Sequence, residues 1–354
     1  MTNEDQIDKY RNKVIENELH LSNDTEINNL KFVDELNVNI LSLDLCPYVK
    51  FKEVSKSLRQ LVVMNSKIEN ISGIEHMTQL LVLAFPWNNI SDIFLLHYLS
   101  SLHELYLTQS QISDIQILYN LQNLQILYLD ENKISDISSL KMLLNLKQLV
   151  LSKNNISDIQ PLRNLLQLIS LSLGNNDISN ISSLSKLVDL TELKLNDNAL
   201  TDISPLENLV RLKSLNLGHN RLVDVSVLSN LVILSELHLQ NNQICFVDSI
   251  NNLNLSFLLL DQNFIQNLTL KNNFLTFGQT TPTTDLLRIN KLMRIIFQTR
   301  KINIFVLEMR HKIILSILNA KRIAQSTFKR IQKAHLQFSE NLVTLLDRIE
   351  IDQQ

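Results

Sequence analysis

The feature that constrains this chain most is a pattern that recurs in register every 22 residues and reads L-x-x-L-x-L-x-x-N-x-I-S-D-I-x-x-L-x-x-L-x-x. A fixed period in this range predicts a solenoid, because each unit can bury its apolar side only against its neighbours. A further unit begins at Leu255 and shortened units fit near Glu16 and Val38, so about twelve units are expected between residues 16 and 277. The regular units start at Leu58, Leu80, Leu102, Leu124, Leu146, Leu168, Leu190, Leu212 and Leu234.

Two shorter periods within each unit predict its local structure. In L-x-L, as at Leu149 and Leu151, alternation puts both leucines on one face of a short strand and Val150 on the other. In the following I-S-D-I segment, Ser and Asp are suited to cap a short helical turn, and Pro161 and Pro205 suit the first turn of such a helix. The units are therefore expected to stack as a parallel sheet on a concave face, with short helical turns on the convex face.

An asparagine recurs just after the predicted strand of most units. Its side chain has both a donor and an acceptor, and it can satisfy the backbone N–H and C=O groups that the turn leaves between coils. Ser66 and Ser110 interrupt this column. Because a hydroxyl group has fewer hydrogen-bonding options than an amide, weaker coils are expected at both positions. The asparagines of the column are Asn88, Asn132, Asn154, Asn176, Asn198, Asn220, Asn242 and Asn263.

The segment from Asn155 to Leu162, N-I-S-D-I-Q-P-L, together with the spacing of 22 residues, resembles leucine-rich repeats of the short subclass. Within that subclass the chain resembles the regulatory subunit of protein phosphatase 1 and the internalins of bacterial surfaces, strongly over residues 58–277 and weakly over residues 16–57. The resemblance implies an α/β fold, a right-handed solenoid that binds a protein partner on its concave face. It leaves the partner open, with the phosphatase catalytic subunit as one alternative.

The chain departs from both relatives. Internalins are secreted and attached to the cell wall, whereas no apolar signal core or sorting sequence is evident here. The phosphatase subunit ends in a small capping motif, whereas residues 285–354 follow the repeats in this chain.

The third, fifth and seventh positions of each unit are expected to point away from the leucine column, so they decide what the concave face can bind. In the first half of the array these positions form an apolar and aromatic stripe, and in the second half they are polar and mildly acidic. A stripe of this kind predicts an interaction surface, with Trp87, Tyr106 and Tyr128 as anchors beside an acidic rim. The alternative is that the N-terminal segment or the C-terminal extension folds over the stripe. The predicted protein-binding residues are Val82, Trp87, Glu104, Tyr106, Tyr128, Asp130 and Glu131.

Signatures of catalysis or phosphate binding such as G-x-x-x-x-G-K, H-E-x-x-H and G-x-S-x-G are absent from the sequence, which contains only four glycines. The nearest approach to a reactive cluster is formed by Asp197, His219, Glu236 and His238, which the repeat brings onto neighbouring coils. A solvated polar surface is the simpler interpretation of these residues. The sequence therefore predicts a protein that is not an enzyme and needs no cofactor or metal.

The composition changes after Pro282. Residues 285–354 hold 13 Lys plus Arg against 6 Asp plus Glu, a net charge of plus 7, whereas the preceding residues carry a net charge of minus 10. Apolar residues recur there about every 3.6 positions, which predicts an amphipathic helix, or two helices with a break between residues 298 and 303.

Three roles remain open for this extension: capping the last repeat, pairing with a partner helix or a second copy, and contacting a membrane surface, a calmodulin-like protein or nucleic acid. No motif favours nucleic acid in particular. The predicted basic contacts are Lys321, Arg322, Lys329, Arg330 and Lys333.

These observations divide the chain into an N-terminal cap with degenerate repeats at 1–57, the solenoid at 58–277, a linker at 278–284 and the helical extension at 285–354. Cys46 and Cys245 are too few for a disulfide framework, and residues 1–20 are polar, so a cytoplasmic location is expected, with the nucleus as an alternative. The apolar stretch at 313–320 is too short to cross a bilayer, so no transmembrane segment is predicted.

Overall fold

A parallel sheet of twelve strands forms the body of the computed structural model, which describes residues 10–15, 17–22, 38–46, 51 and 58–265. Each strand pairs with its neighbours in sequence order, which confirms the predicted parallel sheet and the expected number of units. The strands are β1 (Glu18–Ser22), β2 (Ile40–Asp44), β3 (Gln60–Met64), β4 (Val82–Ala84), β5 (Glu104–Tyr106), β6 (Ile126–Tyr128), β7 (Gln148–Val150), β8 (Ser170–Ser172), β9 (Glu192–Lys194), β10 (Ser214–Asn216), β11 (Glu236–His238) and β12 (Phe257–Leu259).

Leucines at alternate strand positions fill the interior. Leu149 and Leu151 are fully buried, whereas Val150 between them is half-buried on the other face of the sheet. Leu149 lies opposite Leu127 on one neighbouring strand and opposite Leu171 on the other. Because these partners are 22 residues apart, the sequence period is also the register of the sheet. The buried leucines therefore form one continuous column.

Short 3-10 helical turns connect the strands from β3 to β12, which confirms the helical turns predicted after the I-S-D-I segments, and one further turn precedes β1. Pro161 and Pro205 lie in the first turn of their segments, as expected from their fixed φ angle. The turns are Arg11–Lys13, Ile74–His76, Phe94–Tyr98, Gln116–Asn120, Ser138–Met142, Gln160–Asn164, Ser182–Lys186, Ser204–Leu206, Ser226–Asn230 and Asp248–Ile250.

A carboxylate caps the start of most of these turns. The backbone N–H of Ser138 donates to Asp136 Oδ1 at 2.8 Å, and this hydrogen bond lowers the pKa of Asp136. The bond satisfies a donor that the first residue of a helical turn would otherwise leave unpaired. Carboxylates in the same position accept the same bond at Asp92, Asp114, Asp158, Asp202 and Asp224.

The asparagine column joins each coil to the one before it. Asn132 Oδ1 accepts the N–H of Ile112 at 3.0 Å, while Asn132 Nδ2 donates to the carbonyl oxygens of Leu107 at 2.8 Å and Leu129 at 3.0 Å. One side chain therefore satisfies three backbone groups on two coils, which confirms the predicted role. The same bonds recur at Asn88, Asn154, Asn176, Asn198, Asn220, Asn242 and Asn263.

The two serines that interrupt the column differ from each other. Ser66 Oγ accepts the N–H of Cys46 at 2.9 Å and donates to the carbonyl of Met64 at 2.8 Å, so it replaces part of the asparagine's bonding. Ser110 is buried, and its hydroxyl group has no hydrogen-bond partner among the described residues. The expected weakness is therefore concentrated at Ser110, between the coil of β4 and the coil of β5.

None of the helical turns in the described ranges is long or apolar enough to cross a membrane. The predicted linker at 278–284 and the predicted helical extension at 285–354 lie outside the described residues, as do the basic contacts Lys321, Arg322, Lys329, Arg330 and Lys333.

Truncation of a buried leucine tests the continuous column. Leu151→Ala removes a fully buried side chain in mid-array, and we expect it to lower the free energy of unfolding by about 2 to 5 kcal/mol because it leaves a cavity between coils. Chemical denaturation followed by circular dichroism measures the change. An unchanged unfolding midpoint would contradict the buried column.

Repair of the interrupted column tests the role of the asparagines. Ser110→Asn supplies the missing donor and acceptor, and we expect the free energy of unfolding to rise by about 1 kcal/mol. The matched control is Ser100→Asn at an exposed turn position, where a change within about 0.5 kcal/mol is expected. A lower stability of Ser110→Asn than of the unchanged chain would show that the asparagine bonds are not transferable to this coil.

Candidate functional site

The candidate site lies on the face of the sheet opposite the leucine column, called the sheet face from here on. Along β5, Glu104 and Tyr106 are half-buried and Leu105 between them is fully buried, which is the alternation that the sequence predicts. Ala84, which the sequence also places on the stripe, is only 7% exposed and contributes little surface. The accessible stripe is therefore narrower around β4 than the sequence indicates.

Two tyrosines form the centre of the site. Tyr106 on β5 and Tyr128 on β6 are paired in the register of the sheet. Their ring centroids are 5.0 Å apart and the rings are inclined at 68°, an edge-to-face arrangement that is favourable for aromatic rings. The repeat period thus places these two predicted anchors in direct contact.

Both tyrosine hydroxyl groups are held by hydrogen bonds to the sheet face. Tyr106 Oη donates to Glu104 Oε2 at 2.7 Å, and Tyr128 Oη donates to Gln148 Oε1 at 3.2 Å. Burial and the bond to Glu104 raise the pKa of Tyr106, while burial and the nearby charge of Asp130 raise the pKa of Tyr128. Both hydroxyl groups therefore stay protonated at neutral pH, and both rings are fixed in orientation.

Val82 is half-buried beside this pair. It lies opposite Glu104 in the sheet register, and Glu104 in turn lies opposite Ile126. Val82, Glu104, Tyr106 and Tyr128 are therefore brought together on three adjacent strands.

The carboxylates of the predicted acidic rim, Glu104, Asp130 and Glu131, differ in their partners. Asp130 Oδ1 accepts a hydrogen bond from Thr108 Oγ1 at 2.8 Å, whereas Glu131 Oε1 forms an ion pair with Lys153 Nζ at 2.6 Å. The charge of Glu131 is thus compensated within the protein. Thr108 and Lys153 are not among the residues predicted from the sequence, although each stands 22 residues from its partner, so the repeat period is the signal that identifies both pairs.

Trp87 lies in the turn after β4, and its backbone is in the left-handed region with φ of 57°. The residue is 49% exposed, and its backbone N–H donates to the backbone carbonyl of Thr108 at 2.9 Å. Left-handed backbone costs a side chain other than glycine roughly 1–2 kcal/mol, and Asn and Asp tolerate it best. Residues at this position of the coils, all with positive φ, are Leu45, Asn65, Trp87, Gln109, Glu131, Lys153, Asn175, Asp197, His219, Asn241 and Gln262.

The four residues of the predicted polar cluster form two separate pairs in the structure. His238 Nε2 lies 2.7 Å from Glu236 Oε1, and this contact lowers the pKa of Glu236. His219 Nδ1 lies 3.8 Å from Asp197 Oδ1 on the turn side. Within the described ranges, no group of three or more His, Cys, Asp or Glu residues is arranged to hold a metal ion.

Three stretches of the chain, residues 122–164, 166–208 and 188–230, match the family described as leucine rich repeats in two copies. A search of the curated proteins gives no match.

Solved structures of the same architecture include an internalin, InlF, of Listeria monocytogenes, which is 29% identical with a TM-score of 0.64 over 79% of this chain and 90% of that chain. A leucine-rich repeat protein of Leptospira interrogans is 24% identical with a TM-score of 0.57, over 76% of this chain and 74% of that chain, and it supports the fold alone. The ectodomain of the receptor kinase GASSHO1/SCHENGEN3 of Arabidopsis thaliana, in complex with CASPARIAN STRIP INTEGRITY FACTOR 2, is 25% identical with a TM-score of 0.56. That match covers 64% of this chain and 30% of that chain.

The left-handed backbone at Trp87 leads to a prediction about stability. We expect Trp87→Asn to be more stable than Trp87→Val by about 1 kcal/mol, because asparagine tolerates a positive φ and a β-branched side chain does not. Both variants remove the indole ring, so the difference between their unfolding free energies reports the backbone preference. Equal stability of the two variants would contradict the left-handed conformation at this turn.

Proposed function

Because the chain is a leucine-rich repeat protein, we propose that it is a protein-binding scaffold without catalytic activity, and that it recruits its partner through the sheet face of β4 to β7. The observation that carries this proposal is the contact pair of Tyr106 and Tyr128, half-buried on the sheet face, with the half-exposed Trp87 on the neighbouring coil. Aromatic side chains of this kind are the commonest anchors of protein interfaces.

The arrangement suits binding because it is already ordered. Each tyrosine ring is held by the other ring and by a hydrogen bond from its hydroxyl group, so little side-chain freedom remains to be lost when a partner binds. The strands beneath are fixed by the sheet register and by the fully buried leucine column. A rigid platform of this kind gives affinity through contact area at low entropic cost.

The backbone at Trp87 supports the same proposal. A tryptophan in a left-handed turn is unfavourable for stability, and most other coils carry a polar residue at that position. A large, half-exposed aromatic side chain at such a position is explained by a role in contact with another molecule.

The architecture is compatible with protein ligands, since the GASSHO1/SCHENGEN3 ectodomain was solved in complex with CASPARIAN STRIP INTEGRITY FACTOR 2. For this chain we propose a protein partner of the cytoplasm. Two narrower alternatives rest on the sequence. One is a regulatory subunit of protein phosphatase 1, suggested by the repeat period, and the other is a peripheral membrane or cytoskeletal adaptor that acts through the basic residues between Lys321 and Lys333.

Affinity capture with the full chain tests the proposal. The test variant combines Trp87→Asn, Tyr106→Ala and Tyr128→Ala, and the matched control combines Ser170→Ala, Ser172→Ala and Ser214→Ala on the polar half of the same face. We expect the test variant to lose its specific partner by at least about tenfold and the control to retain it, because aromatic anchors carry most of the binding energy of an interface. Quantitative mass spectrometry of the captured proteins, after circular dichroism has verified folding, gives the measurement.

The two narrower alternatives are tested in the same experiment. Purified protein phosphatase 1 catalytic subunit is added as a defined prey. A further full-chain variant changes Lys321, Arg322, Lys329, Arg330 and Lys333 to Gln. Partners that survive the aromatic variant but disappear with the basic-residue variant would refute the sheet-face proposal in favour of the adaptor.

A further inference from the structure

The charges of the sheet face indicate the chemistry of the partner. We propose, on the basis of the function proposed above, that the partner presents a basic segment whose arginine or lysine side chain binds beside Glu104, Tyr106, Tyr128 and Asp130. A cationic side chain is the group that satisfies all four of these residues at once. The polar atoms of these residues are already partly engaged within the protein, and what they leave open determines the ligand.

The tyrosine hydroxyl groups offer only acceptor positions to a ligand. Each hydroxyl hydrogen is engaged inside the protein, that of Tyr106 with Glu104 and that of Tyr128 with Gln148. A hydroxyl group that donates its hydrogen retains lone pairs as acceptors. A ligand that approaches the pair must therefore bring hydrogen-bond donors.

The two carboxylates beside the pair, Glu104 and Asp130, differ from Glu131 in their ion pairing. In the part of the chain that the structure describes, no lysine, arginine or histidine forms an ion pair with Glu104 or Asp130. Glu131 on the adjacent turn provides the contrast, because its charge is compensated by Lys153 at 2.6 Å. Glu104 and Asp130 thus form no ion pair within the described structure, and Lys153, which is engaged with Glu131, acts on Asp130 only through space.

Aromatic rings and carboxylates reinforce each other as a cation site. The face of a tyrosine ring attracts an ammonium or guanidinium group, and a carboxylate accepts its N–H donors. Since Tyr106 and Tyr128 are in contact and Tyr106 is hydrogen-bonded to Glu104, the two rings and the carboxylate of Glu104 form one continuous patch. Trp87 on the neighbouring coil adds apolar area for the stem of a long basic side chain.

The sheet face as a whole carries the same sign. The positions that point away from the leucine column, from β1 to the residues just after β12, hold seven carboxylates and one lysine, Lys194. Such a field favours the approach of a basic segment over that of an acidic one, within the distance that salt screening allows. The carboxylates are Glu18, Asp44, Glu104, Asp130, Glu192, Glu236 and Asp261.

A peptide library provides a defined probe for this site. A random-peptide library displayed on phage is selected against the full chain, and enriched peptides are synthesised with arginine and with citrulline, which keeps the shape of arginine and removes its charge. We expect enrichment of arginine and lysine, and a loss of affinity of at least about tenfold on replacement by citrulline. Fluorescence anisotropy measures the dissociation constants.

Matched variants of the protein locate the effect. Glu104→Gln with Asp130→Asn removes two charges without changing shape, and we expect the same loss of affinity. The control, Glu236→Gln with Asp261→Asn, removes two charges from the same face at the far end of the array. We expect it to retain affinity within about threefold, because exposed charges at a distance are screened by salt.

The outcomes separate this inference from the proposed function. Peptides whose binding is lost in Tyr106→Ala with Tyr128→Ala, yet is unaffected by citrulline or by Glu104→Gln with Asp130→Asn, would overturn the cationic partner and leave the scaffold proposal standing. Failure to select any peptide whose binding depends on the two tyrosines would overturn both.

Discussion

Each coil of this solenoid closes with a turn that directs backbone N–H and C=O groups into the apolar interior. The rest of the structure depends on how these groups are hydrogen-bonded. The asparagine column does so by bonding across two coils with a single side chain, as Asn132 does for Ile112, Leu107 and Leu129. An unpaired buried backbone group costs as much as a lost hydrogen bond or more. The leucine column and the register of the sheet are therefore possible only while this column is nearly continuous.

Because the buried positions of each coil are committed to the core and to the asparagine column, chemical variety is confined to the sheet face and the turns. Along the array these positions change from apolar and aromatic around β4 to β6 to polar around β8 to β11. The backbone beneath is the same in both regions. Recognition is therefore a matter of which side chains occupy equivalent positions, and the contact of Tyr106 with Tyr128 follows from the repeat.

The sequence alone was sufficient for the parts of the fold that depend on period. The strand positions, the buried leucines and the bonds of the asparagine column follow from spacing and from the inventory of donors and acceptors. The sequence was insufficient where side-chain conformation decides: the bond of Tyr106 to Glu104 and the difference between Ser66 and Ser110 depend on local distances. The left-handed backbone of Trp87 is shared by the equivalent residues of the other coils, and the sequence pattern gives no sign of it because most of these residues are not glycine.

The Ser110 hydroxyl group, which has no hydrogen-bond partner among the described residues, has a consequence for cooperativity. In a repeat array each coil is stabilised mainly by its two neighbours, so a weaker junction is expected to let the two blocks on either side of it open more independently. This junction joins the coil of Trp87 to the coil of Tyr106. A ligand that contacts both residues stabilises this junction. We therefore expect its binding to slow amide exchange also in coils that it does not contact.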